Sequence, residues 1–325
     1  MTSICERGNG TYEDAYKLSG CTRCARHERR NAGRAARRRE SGPCVIRVDC
    51  DTPMRELPNP TLPLASIPLD SRRSLPRPQE TVSGKHRLGV AWARTEEELR
   101  EAQLLRYWVF AEEMGAQLKG PEGQDVDEFD SYCDHLLVRD LDTLQVVGTY
   151  RVLPPHQAAR VGKLYAESEF DVSRLTHLRS KMVEVGRSCV HSDYRSGSVI
   201  MSLWAGLATY MLQNGYETML GCASVPMGDG GHYAANLFVS LRDTSMTAPE
   251  YRAFPHTPLP AGELATGCPA CPPPLVKGYL RLGAKICGAP AWDPDFNVAD
   301  FLTLFRLADI NKRYARHFLG ELELS

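Results

Sequence analysis

Residues 181–224 carry a hydrophobic pattern whose period changes twice, and this change indicates the fold class. Residues 181–190 (KMVEVGRSCV) alternate between apolar and polar side chains, as a central strand does. Apolar residues at helical spacing follow over 199–210, and Gly215 is typical of a helix end. Residues 218–224 have the character of a short buried strand. A strand, a helix and a strand in this order predict a βαβ unit with parallel strands.

The residues around this unit extend the prediction to an α/β domain. Leu88–Ala93 is predicted as a strand, and Thr95 with Glu98 forms a capping box that begins a helix reaching about Met114. Further segments are predicted as an antiparallel pair of strands (135–139 and 145–153), a strand (301–307) and a short basic helix (310–319).

The first 85 residues differ from the rest of the chain in charge and composition. The net charge of −1 divides into +6 for residues 1–85 and −7 for residues 86–325. Residues 26–39 are rich in arginine, and the dense prolines of 43–85 exclude helices and central strands. We therefore expect a disordered, basic and Pro-rich leader (1–85) before the folded domain (86–325).

A zinc or nucleic-acid module is a distant alternative that the leader leaves open. Cys21 and Cys24 have the spacing of half a zinc site, but no second pair follows at the spacing of a ribbon or finger. The arginine tract suits either an anionic partner or a solvated tail. The sequence predicts no metal site, and we expect no nucleic-acid partner.

The expected location is the cytoplasm. The first 16 residues lack the apolar stretch of a secretory signal, and the longest weakly polar run, Val199–Leu212, is too short to span a bilayer as a helix. We therefore expect reduced thiols.

The turn between the strand 181–190 and the following helix has the residues of an anion site. Arg195, Ser196, Gly197 and Ser198 stand where free backbone N–H groups and the helix dipole favour a phosphate. A P-loop and a dinucleotide fingerprint are excluded, because neither glycine pattern is present. A plain strand-to-helix turn is the alternative.

Seven segments of the chain, in order, resemble the L-ornithine Nα-acyltransferase family, a branch of the GNAT acyltransferase superfamily. The resemblance covers about residues 88–319. The segments are RYWVFAEEMGA (106–116), DEFDSYCDHLLVRD (127–140), VVGTYRVL (146–153), VEVGRSCVHSDYR (183–195), GYETMLGCAS (215–224), KGYLRLGAKICGAPAWDPDFNVADF (277–301) and RYARHFL (313–319). The positions of Arg106, Phe110, Arg151, Glu184 and Arg187 are also similar to the acyl-homoserine-lactone synthases.

The resemblance implies a GNAT-type mixed twisted sheet flanked by helices. It also implies the reaction that the family catalyses. The family transfers a 3-hydroxyacyl group from acyl carrier protein to the α-amine of L-ornithine, giving lyso-ornithine lipid. It implies no bound cofactor, and a donor whose 4′-phosphopantetheine arm lies on residues 195–198. Synthesis of an acyl-homoserine lactone or another N-acyl amino acid is the alternative.

Glu184 is the predicted general base, because aminolysis of a thioester needs a group that takes the proton of the amine. An ion pair with Arg187 is the structural alternative. Two residues three apart in an extended strand point to opposite faces unless a bulge intervenes, so both roles stay open.

The acceptor needs partners for a carboxylate and a side-chain ammonium. An arginine can bind the carboxylate of the acceptor through two parallel hydrogen bonds. The carboxylates of the acidic loop can bind its side-chain ammonium. The predicted acceptor-binding residues are Arg106, Arg151, Arg187, Asp127, Asp130 and Asp134. Trp108, Phe110, Met114 and Trp204 line an acyl channel or belong to the core.

An acidic carrier protein would need a basic patch on this acidic body. The candidate residues are Arg195, Lys277, Arg281, Lys285, Lys312, Arg313 and Arg316. The last three belong to the predicted helix 310–319, whose apolar side suits peripheral contact with the inner face of a membrane.

Overall fold

A mixed β-sheet runs through the part of the protein that its computed structural model describes, which is residues 79–83 and 86–310 of 325. The strands are β1 (Gln79–Ser83), β2 (His86–Trp92), β3 (Asp134–Asp140), β4 (Val146–Leu153), β5 (Phe170–Asp171), β6 (Met182–Val190), β7 (Thr218–Pro226), β8 (Phe254–Pro255), β9 (Lys285–Ile286), β10 (Ala291–Asp293) and β11 (Val298–Arg306). Within those residues the sheet has nine strands, in the order β1-β2-β3-β4-β6-β7-β11-β10 with β9 beside β11, and β5 pairs separately with β8.

Helices connect the strands and cover the sheet. They are α1 (Glu96–Tyr107), α2 (Pro155–Val161), α3 (Ser198–Asn214), α4 (His232–Arg242), α5 (Ala261–Leu264) and α6 (Pro274–Leu282). Short 3₁₀ helices lie at Asp130–Tyr132, Tyr165–Ser168, Ser173–Lys181, Ser192–Tyr194, Pro249–Tyr251 and Leu307–Asp309. Over residues 79–83 and 86–310, none of these helices has the length and apolar character needed to cross a bilayer.

The predicted βαβ unit is confirmed as β6, α3 and β7, whose strands are parallel. Their pairing covers three positions and ends where Glu184 meets Leu220, although both strands continue beyond this point. A side chain at Gly221 would bring its Cβ within 2.5 Å of the Val185 carbonyl oxygen, so only glycine allows the strands to lie this close. Beyond Glu184 the strands have no ladder between them, which leaves a gap in the sheet.

Two layers cover the two faces of the sheet. On one face, Leu203 and Leu207 of α3 pack against Leu136 and Val152. On the other face, α1 packs against Leu137 and the 3₁₀ segments pack against β4, β7 and β11. We call these the α3 face and the α1 face. The alternation of side chains along each strand assigns neighbouring residues to opposite layers.

Most of the predicted elements are confirmed, and the helix predicted to reach about Met114 changes its geometry before its end. Thr95 and Glu98 form the predicted capping box, but α1 ends at Tyr107 and a π-helix continues over Trp108–Glu113. Residues 79–83, within the predicted leader, form β1, which pairs with β2 along its length. The boundary at residue 85 remains a prediction. The rest of the leader and residues 311–325, which include all but the first residue of the predicted helix 310–319, lie outside the described residues.

Candidate active site

A buried arginine on α1 anchors a network of charged side chains on the α1 face. Arg106 is fully buried, and its Nη2 lies 2.6 Å from the carboxylate of Asp130. Its Nε lies 2.8 Å from the carboxylate of Asp125, whose backbone carbonyl also accepts a hydrogen bond from Arg106. Both aspartates come from the loop between α1 and β3, so this one side chain ties the loop to the helix.

Arg151 extends the network from the neighbouring strand. Its Nη1 donates to Asp127 at 2.6 Å and to Asp130 at 2.9 Å. Burial opposes the ionisation of Asp130, but the adjacent guanidinium groups of Arg106 and Arg151 outweigh it and hold the pKa of Asp130 well below its usual range. Asp130 is therefore a carboxylate shared between two arginines.

Arg187 completes the network at its more exposed end. Its Nε lies 3.1 Å from Asp125, and its Nη2 lies 3.4 Å from Asp127. The guanidinium lies over the rings of Tyr165 and Phe296, at 5.0 Å and 4.9 Å from their centroids. Arg187 has a φ of 50°, in the left-handed region, so the β6 backbone is locally distorted here.

The network brings together most of the predicted acceptor-binding residues, but as partners of one another. Three arginines and three aspartates balance in charge, and they are Arg106, Arg151, Arg187, Asp125, Asp127 and Asp130. Asp125, which the sequence analysis did not select, lies in the same acidic loop. The predicted roles of the other five in binding the acceptor remain predictions.

Asp134 lies on the other face of the sheet from this network, and its predicted role in binding the acceptor remains a prediction. It accepts a hydrogen bond from the hydroxyl of Tyr210 on α3. Its neighbour His135 faces the network, where its Nε2 lies 3.0 Å from the backbone oxygen of Asp130. The alternation of side chains along β3 places Asp134 and His135 on opposite faces of the sheet.

Glu184 lies on β6 at the last position that pairs with β7. Its carboxylate accepts hydrogen bonds from the backbone N–H groups of Tyr165 and Ala166, both at 2.7 Å. Burial raises the pKa of Glu184 to about 7, against the lowering effect of these two bonds and of Arg151. The recorded ion pairs of Arg187 go to Asp125 and Asp127, so the predicted alternative of a Glu184–Arg187 pair is not the arrangement found.

A second acidic group on the α1 face escaped the sequence analysis. The ligand-capable atoms of Glu169, Cys222 and Asp300 lie within 4.8 Å of one another, and the hydroxyl of Ser224 donates to Asp300. Burial raises the pKa of both carboxyl groups, and a neighbouring aspartate raises each further, which is Asp300 for Glu169 and Asp293 for Asp300. These residue types suit a cation, whether a metal ion or an ammonium group. They come from three distant parts of the chain, so no local motif marks them.

The predicted donor turn precedes α3. Gly197 has a φ of 101° and is the N-cap of the helix that begins at Ser198. The hydroxyls of Ser196 and Ser198 lie 3.3 Å apart. Arg195 donates to the Val190 carbonyl and forms an ion pair with Glu113, so it bridges the turn and the π-helix.

An apolar cavity of about 70 Å³ lies on the α3 face, beside the gap between β6 and β7. Val185, Trp204 and Gly221 are among its lining residues. Trp204 is thus the one member of the four predicted channel residues in the wall. Trp108 is half exposed, and Phe110 and Met114 pack against the α1 cluster, because the π-helix carries them to the other face of the sheet.

The comparison with known proteins identifies the family. Residues 105–205 match the model of the acetyltransferase (GNAT) domain. The chain is 36% identical to an L-ornithine N(alpha)-acyltransferase of Rhizobium meliloti (strain 1021), over 76% of this chain and 90% of that relative. The chain belongs to the L-ornithine N(alpha)-acyltransferase family. A relative of the same name from Agrobacterium fabrum (strain C58 / ATCC 33970) is also 36% identical, over 71% of this chain and 85% of its own length.

Membership of this family confirms the predicted acyltransferase and its GNAT fold. Among solved structures, the acyl-homoserine-lactone synthase LasI aligns with 74% of this chain and 98% of its own, at 16% identity and a TM-score of 0.44.

Proposed function

We propose that this protein transfers a 3-hydroxyacyl group from acyl carrier protein to the α-amine of L-ornithine, giving lyso-ornithine lipid. The observation that carries the proposal is the gap between β6 and β7. It has an apolar cavity beside it on the α3 face and a buried carboxylate with charged neighbours on the α1 face. The name of the family, L-ornithine N(alpha)-acyltransferase, agrees with this chemistry.

The reaction is aminolysis of a thioester. The α-nitrogen of ornithine attacks the carbonyl carbon, the C–S bond breaks, and the carrier leaves as its thiol after taking a proton. The attacking amine loses a proton to Glu184, directly or through one water molecule. A pKa of about 7 suits this role, because the carboxylate is present at neutral pH and is still basic enough to accept a proton.

The oxyanion that forms during this attack needs hydrogen-bond donors. The ladder from β6 to β7 ends at Glu184, so the β6 backbone beyond it faces the gap rather than a paired strand. We assign the oxyanion to these backbone N–H groups, whose direction is already fixed by the pairing of β6 with β4.

The donor lies along α3 in this proposal. Its phosphate meets the first N–H groups of the helix and residues Arg195–Ser198. Trp204 lies six residues after Ser198, roughly 9 Å along the axis at 1.5 Å per residue. The extended phosphopantetheine arm bridges this distance, and the acyl chain then enters the cavity.

The acceptor lies on the α1 face. Arg187 is the most exposed of the three arginines in the charged network, and its 3.4 Å contact with Asp127 is long for a charge-assisted bond, so it is suited to receive the ornithine carboxylate. Glu169 and Asp300 are suited to the side-chain ammonium, since a nearby cation favours the ionised form of both carboxyl groups, which burial opposes.

The carrier protein docks on basic residues near the cavity. Arg281 and Lys285 are exposed, and Leu282 and Ala284 between them line the cavity. The predicted contributions of Lys312, Arg313 and Arg316, and of peripheral membrane contact by residues 310–319, lie outside the described residues. An acidic carrier on Arg281 and Lys285 would bring its arm to the cavity wall.

Release of the carrier thiol by the purified full-length protein tests the proposal. We expect release from 3-hydroxyacyl-acyl carrier protein in the presence of L-ornithine, and little with S-adenosylmethionine as acceptor. Release with S-adenosylmethionine but not with ornithine would support a homoserine-lactone synthase instead. A folded protein that releases thiol with neither acceptor would contradict both functions.

A further inference from the structure

We infer that the hydroxyl groups of Tyr150, Tyr279 and Ser188 bind the 3-hydroxyl of the acyl donor and thereby select 3-hydroxyacyl chains over unsubstituted ones. This inference rests on the proposed function and assigns a specificity site within it. The three residues come from β4, α6 and β6, which meet at the cavity.

The hydroxyls of Tyr150 and Tyr279 form a polar spot in a largely apolar wall, and the hydroxyl of Ser188 lies beside them. The hydroxyls of Tyr150 and Tyr279 lie 2.8 Å apart, and both residues line the cavity. The hydroxyl of Ser188 is hydrogen-bonded to both tyrosines. Most of the other lining residues are aliphatic or aromatic, and Trp204, Leu207 and Met219 are examples.

The cavity wall contains one other hydroxyl, that of Thr303, and this group makes a hydrogen bond within the sheet. Thr303 donates to the backbone carbonyl of Gly221 at 2.7 Å, which is a bond between β11 and β7. The hydrogen bonds that link Tyr150, Tyr279 and Ser188 join these side chains to one another and add nothing to a backbone ladder. Hydroxyls arranged in this way beside an apolar cavity are suited to a ligand that carries a polar group of its own.

The cluster has unused capacity for an alcohol. Three hydroxyls offer three donors and six acceptor lone pairs, and the bonds among them use at most half of the acceptors. Burial raises the pKa of Tyr150 to about 12, so its hydroxyl stays protonated. A ligand alcohol can donate to a free lone pair, and rotation of one hydroxyl lets it accept as well. An unsubstituted acyl chain has no hydroxyl that could form a hydrogen bond with the cluster.

The position of the cluster matches that of a 3-hydroxyl. Carbon 3 is two carbons from the thioester carbon, so the group that contacts its oxygen must lie close to the reacting end of the cavity. Tyr150 precedes Arg151, and Ser188 follows Arg187, so both neighbours belong to the charged network at the gap. A hydroxyl deeper in the acyl chain would miss this spot.

The test compares donors that differ in one oxygen. The full-length protein receives 3-hydroxyacyl and unsubstituted acyl carrier proteins of equal chain length, with L-ornithine, and kcat/KM is measured for each. We expect the wild type to prefer the hydroxylated donor by about tenfold, as for one net hydrogen bond. Tyr279→Phe should bring the ratio to about one, by lowering kcat/KM for the hydroxylated donor alone.

Two further variants and a control keep this test sharp. Tyr150→Phe and Ser188→Ala should reduce the ratio in the same direction, so the inference does not depend on the folding of one variant. Tyr251→Phe removes a hydroxyl that accepts from Arg306 and does not line the cavity, so it should leave the ratio unchanged.

Active variants of all three cluster residues that keep the wild-type ratio would overturn the inference. A wild type that transfers to ornithine without preferring the hydroxylated donor would overturn it too. A wild type without transfer to ornithine would overturn the proposed function as well.

Discussion

The two faces of the sheet near the gap between β6 and β7 differ in chemistry although their residues are neighbours in the chain. On β4, Tyr150 faces the cavity and Arg151 faces the charged network. On β6, Val185 faces the cavity and Glu184 faces the other side. The alternation of a strand thus assigns an apolar substrate part to one face and a charged part to the other, and the gap joins them.

The two faces should also differ in how they respond to mutation. The α1 face holds buried charges that depend on one another, and loss of one leaves another without compensation. The α3 face holds an apolar cavity, whose contribution grows with each methylene group in contact. We therefore expect large losses on the α1 face and graded changes in chain preference on the α3 face.

The largest effect is expected for Glu184→Gln. An amide cannot accept the proton of the amine, so kcat should fall by about 100-fold or more, while the fold is kept. Steady-state thiol release and a circular-dichroism melt measure the two effects. Glu263→Gln, at an exposed position on α5, is the matched control and should keep full activity. A Glu184→Gln protein with unchanged kcat would remove Glu184 from the reaction.

Asp130→Asn should destabilise the protein by about 3–5 kcal/mol, because it leaves Arg106 and Arg151 buried without their shared carboxylate. Chemical denaturation measures this loss. Glu128→Gln is the control, since its ion pair with Lys163 is exposed and should be worth about 1 kcal/mol or less. Equal losses in the two variants would mean that the network has no special role in stability.

The pH profile should show the titration of Glu184. Its carboxylate form is required, so kcat in the wild type should fall about tenfold per pH unit below a pKa of about 7 and level off above it. Protonation of the free acceptor affects kcat/KM instead, so measurements at saturating ornithine separate the two. The residual kcat of Glu184→Gln should not fall in this way below pH 7. If the same fall is found in the variant, it must come from another titrating group.

The smallest effect is expected on the α3 face. Ala208→Leu adds three carbons to the cavity wall and should shift preference towards shorter acyl chains. Each methylene group of the acyl chain that no longer fits in the cavity costs about 0.8 kcal/mol, which lowers kcat/KM about fourfold. Ala205→Leu, on the same helix but outside the wall, is the control. An unchanged chain preference in Ala208→Leu would mean that the acyl chain lies elsewhere.

Much of this arrangement could be predicted from the sequence, because local patterns carry it. The change of period over residues 181–224 predicted β6, α3 and β7, and the capping box predicted the start of α1. Family resemblance selected Arg106 and Arg151, the acidic loop supplied Asp130, and these three lie together.

The remaining features depend on contacts between distant parts of the chain. The left-handed backbone of Arg187 is a tertiary effect, since this residue is held between Tyr165 and Phe296. Glu169 and Asp300 meet only after β11 has joined the sheet. A sequence pattern describes one segment at a time, so neither feature leaves a signal in it.

Mass spectrometry of the product tests the central claim most directly. The purified full-length protein is incubated with L-ornithine and 3-hydroxyacyl-acyl carrier protein, and the product is fragmented to locate the amide. The two-face arrangement predicts a 3-hydroxyacyl group on the α-nitrogen, with the side-chain amine free. Acylation of the side-chain nitrogen, or no acylated ornithine from a folded protein, would contradict it.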